Sequence, residues 1–243
     1  MKKLLTLLVL TGTLFAQANN IFTLNPSVNS AGMGNVGIAN AEVKNVFHNP
    51  AFAGLRESHQ EVSYVEWLPN LTDDMGYQSI LYTSDLGWSS EIFYFNYGTQ
   101  VQSDQYGVVL GDFESSSYRI SGGYGFGFND WLVGARLNLY SHNFIDDYSI
   151  DMNYGFDIGA YKEFGNTSLG LVLKDVGGET EFLSQKLNLP MSVGVGVGHK
   201  FGNFTLASDV KFYEDYNSIG LGGQYDLGIA SLKLGYYTES EFD

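Results

Sequence analysis

The 243-residue chain contains no cysteine, which excludes a disulfide framework, a thiol nucleophile and a cysteine-linked lipid anchor. Positive charge is also scarce, with 12 Lys and Arg against 27 Asp and Glu. Such a balance argues against nucleic acid or an anionic lipid surface as an electrostatic partner. Past the N-terminus no segment approaches a run of about 18 apolar residues, so helical membrane spans are excluded. The four histidines, His48, His59, His142 and His199, lie in different segments without metal-ligand spacing. No serine sits in a nucleophile elbow or beside a base signature. The acidic stretches Asp73-Asp74, Asp146-Asp147 and Glu179 with Glu181 build no EF-type loop and read as solvated rim loops rather than a Ca²⁺ site. A formal G-x-G-x-x-G at Gly32, Gly34 and Gly37 lacks the βαβ surroundings of a dinucleotide site. The expectation is a protein that is not an enzyme, with no metal, no cofactor and no nucleic-acid partner.

What the chain does have is glycine and aromatic residues, 30 Gly, 17 Tyr and 17 Phe, with only four prolines. They are arranged in alternation, most clearly from Tyr118 to Tyr140. Tyr118, Ile120, Tyr124, Phe126 and Phe128 share one face, and Arg119, Ser121, Gly123, Gly125 and Gly127 the other. Val133, Ala135, Leu137 and Leu139 then oppose Gly134, Arg136 and Asn138. Period two means strand, and Asn129-Asp130 between the arms suits a two-residue hairpin turn. Arms of about ten residues exceed the usual soluble strand and match the length that crosses a bilayer at a tilt. Apolar side chains on one face with glycine and charge on the other are the pattern of a membrane barrel, although a large soluble all-β protein has a similar composition.

Along the chain, Met1 to Ala18 reads as an export signal: Lys2 and Lys3, an apolar run from Leu4 to Phe15, and Ala16-Gln17-Ala18 as the cleavage site. Its removal leaves 10 basic against 27 acidic residues, a net charge of −17. From Asn19 to about Ser58 a Gly-, Asn- and Ala-rich stretch shows no long alternation. It carries AGMGNVGIAN from Ala31 and HNPAFAG from His48, and reads as a compact, tightly turning segment. Alternation then continues to the end. Strands are expected near Glu61 to Leu68, Gly76 to Ser84 and Ser90 to Tyr97, in the two hairpin arms, and near Tyr154 to Phe164 and Ser168 to Val176. Four more follow near Met191 to Phe201, Phe204 to Tyr213, Ser218 to Leu227 and Ile229 to Tyr237. That makes eleven, with Gln100 to Ser117 as the longest connection. Short joints such as Gly165-Asn166 and Gly202-Asn203 fit one rim, and the longer acidic stretches Asp146 to Asp151 and Gly177 to Asn188 the other. Because bacterial single-chain barrels use even strand numbers, and TESEFD follows Tyr236-Tyr237, either the count is off by one or the chain is a fragment lacking its last strands, and the fragment is the preferred reading. On the expected inward face lie Arg119, Arg136, Asp157, Lys174, Asp209, Lys211, Asp226 and Lys233, read as structural charge ladders inside the barrel.

The motifs SAGMGNVGIAN and HNPAFAG resemble the N-terminal signature of the PorV/PorQ family of outer-membrane proteins, relatives of the FadL-type fatty-acid channels. The resemblance continues through Asn96-Tyr97-Gly98, Gly111-Asp112-Phe113, Gly155-Phe156-Asp157-Ile158-Gly159, Gly170 to Gly177 and Leu189-Pro190, covering roughly Ser30 to Tyr237. It departs at Phe52, where small or leucine-like residues are common, and Phe52-Ala53-Gly54 is similar to PorP-type secretion barrels. The resemblance implies an all-β, antiparallel transmembrane barrel of 14 strands, about eleven of them visible here, with residues 19–58 folded into it as a plug and residues 59–243 as the wall. Gly32, Met33, Gly34, Asn49, Pro50 and Ala51 would belong to the plug. It also implies an outer-membrane location and surrounding lipid. One implied role is in type IX secretion or surface delivery, with exported proteins or secretion components as partners. The alternatives are FadL-like transport of long-chain fatty acids or other apolar small molecules, and a purely structural barrel. Phe113, Phe144 and Phe182 in the loops suit a ligand funnel or a protein contact.

Overall fold

The computed structural model describes residues 19–68, 74–104, 106–145, 148–177, 180–182, 185–187 and 189–241. The expected export signal, Met1 to Ala18, lies outside them, as do Asp73, Asp146, Asp147 and Glu179. The N-terminal part is irregular. It holds two 3-10 turns, Asn19–Thr23 and Pro50–Leu55, and one helical turn, α1 (Val28–Ala31), whose N-cap Ser27 accepts the Ser30 amide. No helix among the described residues is long and apolar enough to cross a membrane.

Everything after it is strand. In order these are β1 (His59–Glu66), β2 (Gly76–Thr83), β3 (Trp88–Ser103), β4 (Val109–Phe128), β5 (Trp131–Ile145), β6 (Tyr148–Phe164) and β7 (Thr167–Gly177). Then come β8 (Thr180–Phe182), β9 (Gln185–Leu187), β10 (Ser192–Phe201), β11 (Phe204–Phe212), β12 (Tyr216–Asp226) and β13 (Ser231–Glu241). Eleven of them form one antiparallel sheet in chain order from β1 to β13, while β8 and β9 pair only with each other. Each expected strand corresponds to one strand of this sheet. β1 and β13 are its two edges, and they do not pair with each other among the described residues.

Two departures from the expected boundaries have physical causes. Gln100 to Ser117 is mostly strand, because β3 and β4 keep pairing as far as Ser103 opposite Val109 after a register shift between Asn96 and Thr99. Gly177 to Asn188 contains the small β8–β9 hairpin. The turns behave as their residues dictate: Asn129 and Asp130 both hold positive φ, 47° and 64°, which is the backbone a two-residue hairpin with right-handed strand twist requires.

The two faces of the sheet are chemically distinct. Val193, Val195 and Val197 on β10, Leu169 and Leu171 on β7, and Tyr154, Phe156 and Ile158 on β6 are exposed apolar side chains. The other face turns toward residues 21–55, most of them buried, with Met33, Val36, Ile38, Ala39, Val43, Val46, Ala51 and Ala53 at 0% exposure. The segment reaches both sheet edges: Ser27 Oγ donates to Glu61 Oε1 of β1 at 2.7 Å, and Lys233 Nζ of β13 lies 3.5 Å from the Asn29 carbonyl. The sheet therefore curls around the segment. The small inward residues make this approach possible. A Cβ on Gly134 would sit 2.1 Å from the Pro50 carbonyl oxygen, so only glycine lets the segment backbone come this close. Around β2 and β3 the inward face is instead aromatic, with Tyr77, Phe93 and Phe95 packed on Phe22, Tyr140 and Leu189.

Gly134→Val should force the segment off the wall, at a cost of about 1–3 kcal/mol, and expose residues 19–55 to limited proteolysis. Gly127→Val, where a Cβ meets nothing within 4 Å, should leave the digestion pattern unchanged.

Candidate functional site: a buried charge row under the N-terminal segment

The inward charges of neighbouring strands meet in one row. Glu91 on β3 accepts Arg119 Nη2 of β4 at 2.6 Å and Arg136 Nη1 of β5 at 2.7 Å. Arg136 Nε lies 3.4 Å from Asp157 Oδ2 of β6, its direct cross-strand partner, and also donates to Asn138 Oδ1 at 2.7 Å. All four ionised groups are at most 3% exposed. Charges this dry persist only when paired and hydrogen-bonded, and each here contacts its opposite. Phe47 from the segment lies among the cations. Arg119 stands 4.6 Å and Arg136 5.8 Å from its ring centroid, and Lys174 Nζ only 3.6 Å.

The row ends on β7 in an irregularity. Phe156 pairs with Val176 and Ile158 with Leu173, so Asp157 faces two residues, Lys174 and Asp175. This bulge puts Asp175 at φ 55° and turns both side chains inward, 8% and 7% exposed. Asp175 accepts the Tyr140 hydroxyl, and its amide donates to Asp157 Oδ1 at 2.8 Å.

The segment is fastened by main-chain hydrogen bonds on either side of the row. Asp209 Oδ2 on β11 accepts the amides of Gly37 and Ile38 at 2.7 and 2.8 Å. Asn49 caps the turn Pro50–Leu55 by accepting the Ala51 amide at 3.0 Å, and its Nδ2 donates to the carbonyls of Ile38 at 2.8 Å and of Ala160 on β6 at 3.1 Å. A Cβ on Gly159 would fall 2.0 Å from Asn49 Oδ1, so the wall is notched for this residue. Pro50 and Ala51 are buried beside it. Met33 is fully buried, and Gly34, at φ 68°, runs against the backbone of β12 and β13.

Of the expected inward charges, Arg119, Arg136, Asp157 and Lys174 meet in the row, and Asp209 holds the segment. Asp226 is corrected: it is exposed at the end of β12, where its carboxylate accepts the Gly228 amide at 2.8 Å, because alternation gives way to a turn there. Gly32 is also exposed, with ordinary helical φ, and only closes α1. Lys211 and Lys233 are half-buried and reach segment carbonyls at 3.5 Å. Glu91, which joins the two arginines, was not singled out in the sequence; its signal was the alternation Glu91, Phe93, Phe95, which places it on the inward face. Of the loop aromatics, Phe113 is half-buried, and the side chains of Phe144 and Phe182 lie outside the described residues.

No family model and no curated protein matches this chain. The geometry alone therefore limits the chemistry. No group of three or more His, Asp or Glu among the described residues could hold a metal ion. Ser117 Oγ lies 2.7 Å from His142 Nδ1, but it also bonds Tyr97 at 3.0 Å, and both Ser117 and His142 are buried with Phe22 against the imidazole. This chain of polar groups ties strands together.

His48 is the titratable residue of the segment itself. Burial, and then the positive charges of Lys211, Lys174 and Arg136, hold its pKa well below the ordinary value of 6.5. Its Nε2 contacts Ser30 Oγ at 2.7 Å and Asn25 Oδ1 at 3.2 Å, and Phe47 packs edge-on to the ring. The folded protein therefore keeps His48 neutral where the unfolded chain binds a proton.

Arg136→Met should cost about 3–5 kcal/mol in urea unfolding, because Asp157 is left buried without its cation while Glu91 keeps Arg119. The sign of the pH effect follows from the lowered pKa: the contribution of His48 is complete above pH 6.5 and is lost as pH falls below it, by up to about 1.4 kcal/mol per unit. His48→Asn should remove that component, read as a flatter unfolding midpoint between pH 6.5 and 4.5.

Proposed function

We propose that this chain is the wall and plug of an outer-membrane β-barrel of PorV/PorQ type, a non-enzymatic protein serving type IX secretion or surface delivery of exported proteins. The observation that carries the membrane reading is the two-faced sheet. Its outward side chains are exposed Val, Leu, Ile, Phe and Tyr over consecutive strands, and its inward ones are glycine, serine and paired charge around a buried segment. An exposed apolar face spanning many strands is unsuited to water and suited to lipid. In this reading the segment 19–58 fills the lumen, held by Asn49, Phe47 and the Asp209 contacts. A sealed barrel serves as a scaffold whose working surface is its rim. The rim at the ends of β3 and β11 carries Asp104, Glu214 and Asp215, and the hairpin of β3 and β4 projects exposed Val101, Tyr106, Val109 and Leu110 there. That mix of acid and apolar groups suits contact with another protein.

One observation favours the alternative, FadL-like transport of apolar molecules. Pairing between β7 and β10 ends at Lys174 opposite Ser192, whereas β7 continues to Gly177, so the wall is interrupted beside the charge row. The space at that break has a mixed polar and apolar lining and is about the size of one water, which suits a seal more than a passage for a long apolar molecule.

Two measurements test this reading. Val195→Arg, at the middle of β10, should cost about 2–4 kcal/mol and reduce membrane insertion if that face meets lipid. A variant that becomes more soluble without loss of stability contradicts the barrel. The protein purified from outer membranes should then co-purify with exported proteins or secretion components, and a stoichiometric apolar small molecule in their place supports transport.

A further inference from the structure

Between the segment and the wall lies a small pocket lined by Thr23, Phe47 and His48 on one side and Lys174, Asp175, Ser192, Lys211 and Tyr213 on the other. It leaves about 10 Å³ for the centre of a water-sized group, the space of a single water or one monatomic ion. Its hydrogen bonding is unbalanced. The carboxylates nearby face neutral donors: Asp175 accepts the Tyr140 hydroxyl and Asp209 Oδ2 the amides of Gly37 and Ile38, while Asp209 Oδ1, buried without a partner, is not among the groups that line the pocket. The cations are not served in return. Lys174 makes no ion pair of 4.0 Å or less and no hydrogen bond among the described residues, and its ammonium rests on the Phe47 ring. Among the described residues, Lys211 has one hydrogen-bond contact, at 3.5 Å to the Asn35 carbonyl. His48, at 1% exposure, lines the same pocket with an Nδ1 that has no partner. Glu91 and Asp157 pair with Arg119 and Arg136, and neither lies within 4.0 Å of the Lys174 ammonium.

We propose that this pocket binds one chloride ion, held between the ammonium groups of Lys174 and Lys211. Two ammonium groups with free N–H donors, facing a one-atom space, ask for an acceptor that carries negative charge. Chloride meets the size and the sign. Bound there, it would tie Phe47 and His48 of the segment to β7, β10 and β11 at the place where β7 and β10 stop pairing. It would act as an ionic latch on the segment, whatever passes or docks elsewhere.

The test uses the full chain purified in detergent. Crystals grown in bromide should show an anomalous peak between Lys174 and Lys211, and the unfolding temperature should rise and saturate with added chloride relative to gluconate at equal ionic strength. Lys211→Met should abolish that rise. A site without anomalous signal, showing that water alone fills it, overturns the proposal, as does a chloride dependence that is the same in Lys211→Met and in the parent. Because the bromide experiment needs no substitution, a variant that fails to fold leaves the test intact.

Discussion

The structure depends on one constraint: the irregular backbone of residues 19–55 has left water, and its amides and carbonyls must find partners on the sheet around it. A buried amide or carbonyl without a partner costs about 1–3 kcal/mol. Here Asp209 takes two successive amides, Ser168 Oγ donates to the Ala39 carbonyl at 2.6 Å, and Ser79 Oγ to that of Pro26 at 3.1 Å. Tyr77 and Arg119 serve the carbonyls of Asn25 and Phe22 at 3.1 and 2.6 Å. These inward side chains are thus the hydrogen-bonding complement of a particular loop, and the glycines between them are the room in which it lies.

The same constraint explains the charge row. Four ionised groups on β3 to β6, almost dry, are a poor source of stability by themselves, since desolvation offsets most of their attraction. What they supply is geometry. Arg119 reaches both Glu91 and the Phe22 carbonyl, and the cations surround Phe47, so the register of the strands and the position of the segment are set by the same side chains. The bulge at Asp175 extends the row by one residue, and pairing of β7 with β10 ends at Lys174 beside it, so the pocket lies where β7 is paired on its β6 side alone among the described residues.

Much of this was legible beforehand in local pattern. The strand order, the outward faces of Val193 to Val197 and of Tyr118 to Phe128, and the Asn129-Asp130 turn follow from alternation and from residues that accept positive φ. The inward placement of Arg119, Arg136, Asp157, Lys174 and Asp209 follows from the same parity. Where parity was carried to the end of a strand it misplaced one residue: Asp226, the last of β12, is exposed where the strand gives way to a turn.

The sequence by itself determined which side chains share a face and where the chain turns, because both are properties of a few consecutive residues and the period of an extended backbone. Only the tertiary structure decided which inward groups meet: Glu91 with two arginines, Asn49 with a notch at Gly159, His48 neutral beside two lysines. Those contacts join residues as far apart as Ile38 and Asp209, and they depend on strand register, on one bulge and on how closely the segment approaches the sheet. None of these is encoded in a local period; each is settled only when the sheet packs around the segment and the backbone groups of the segment must be met away from water.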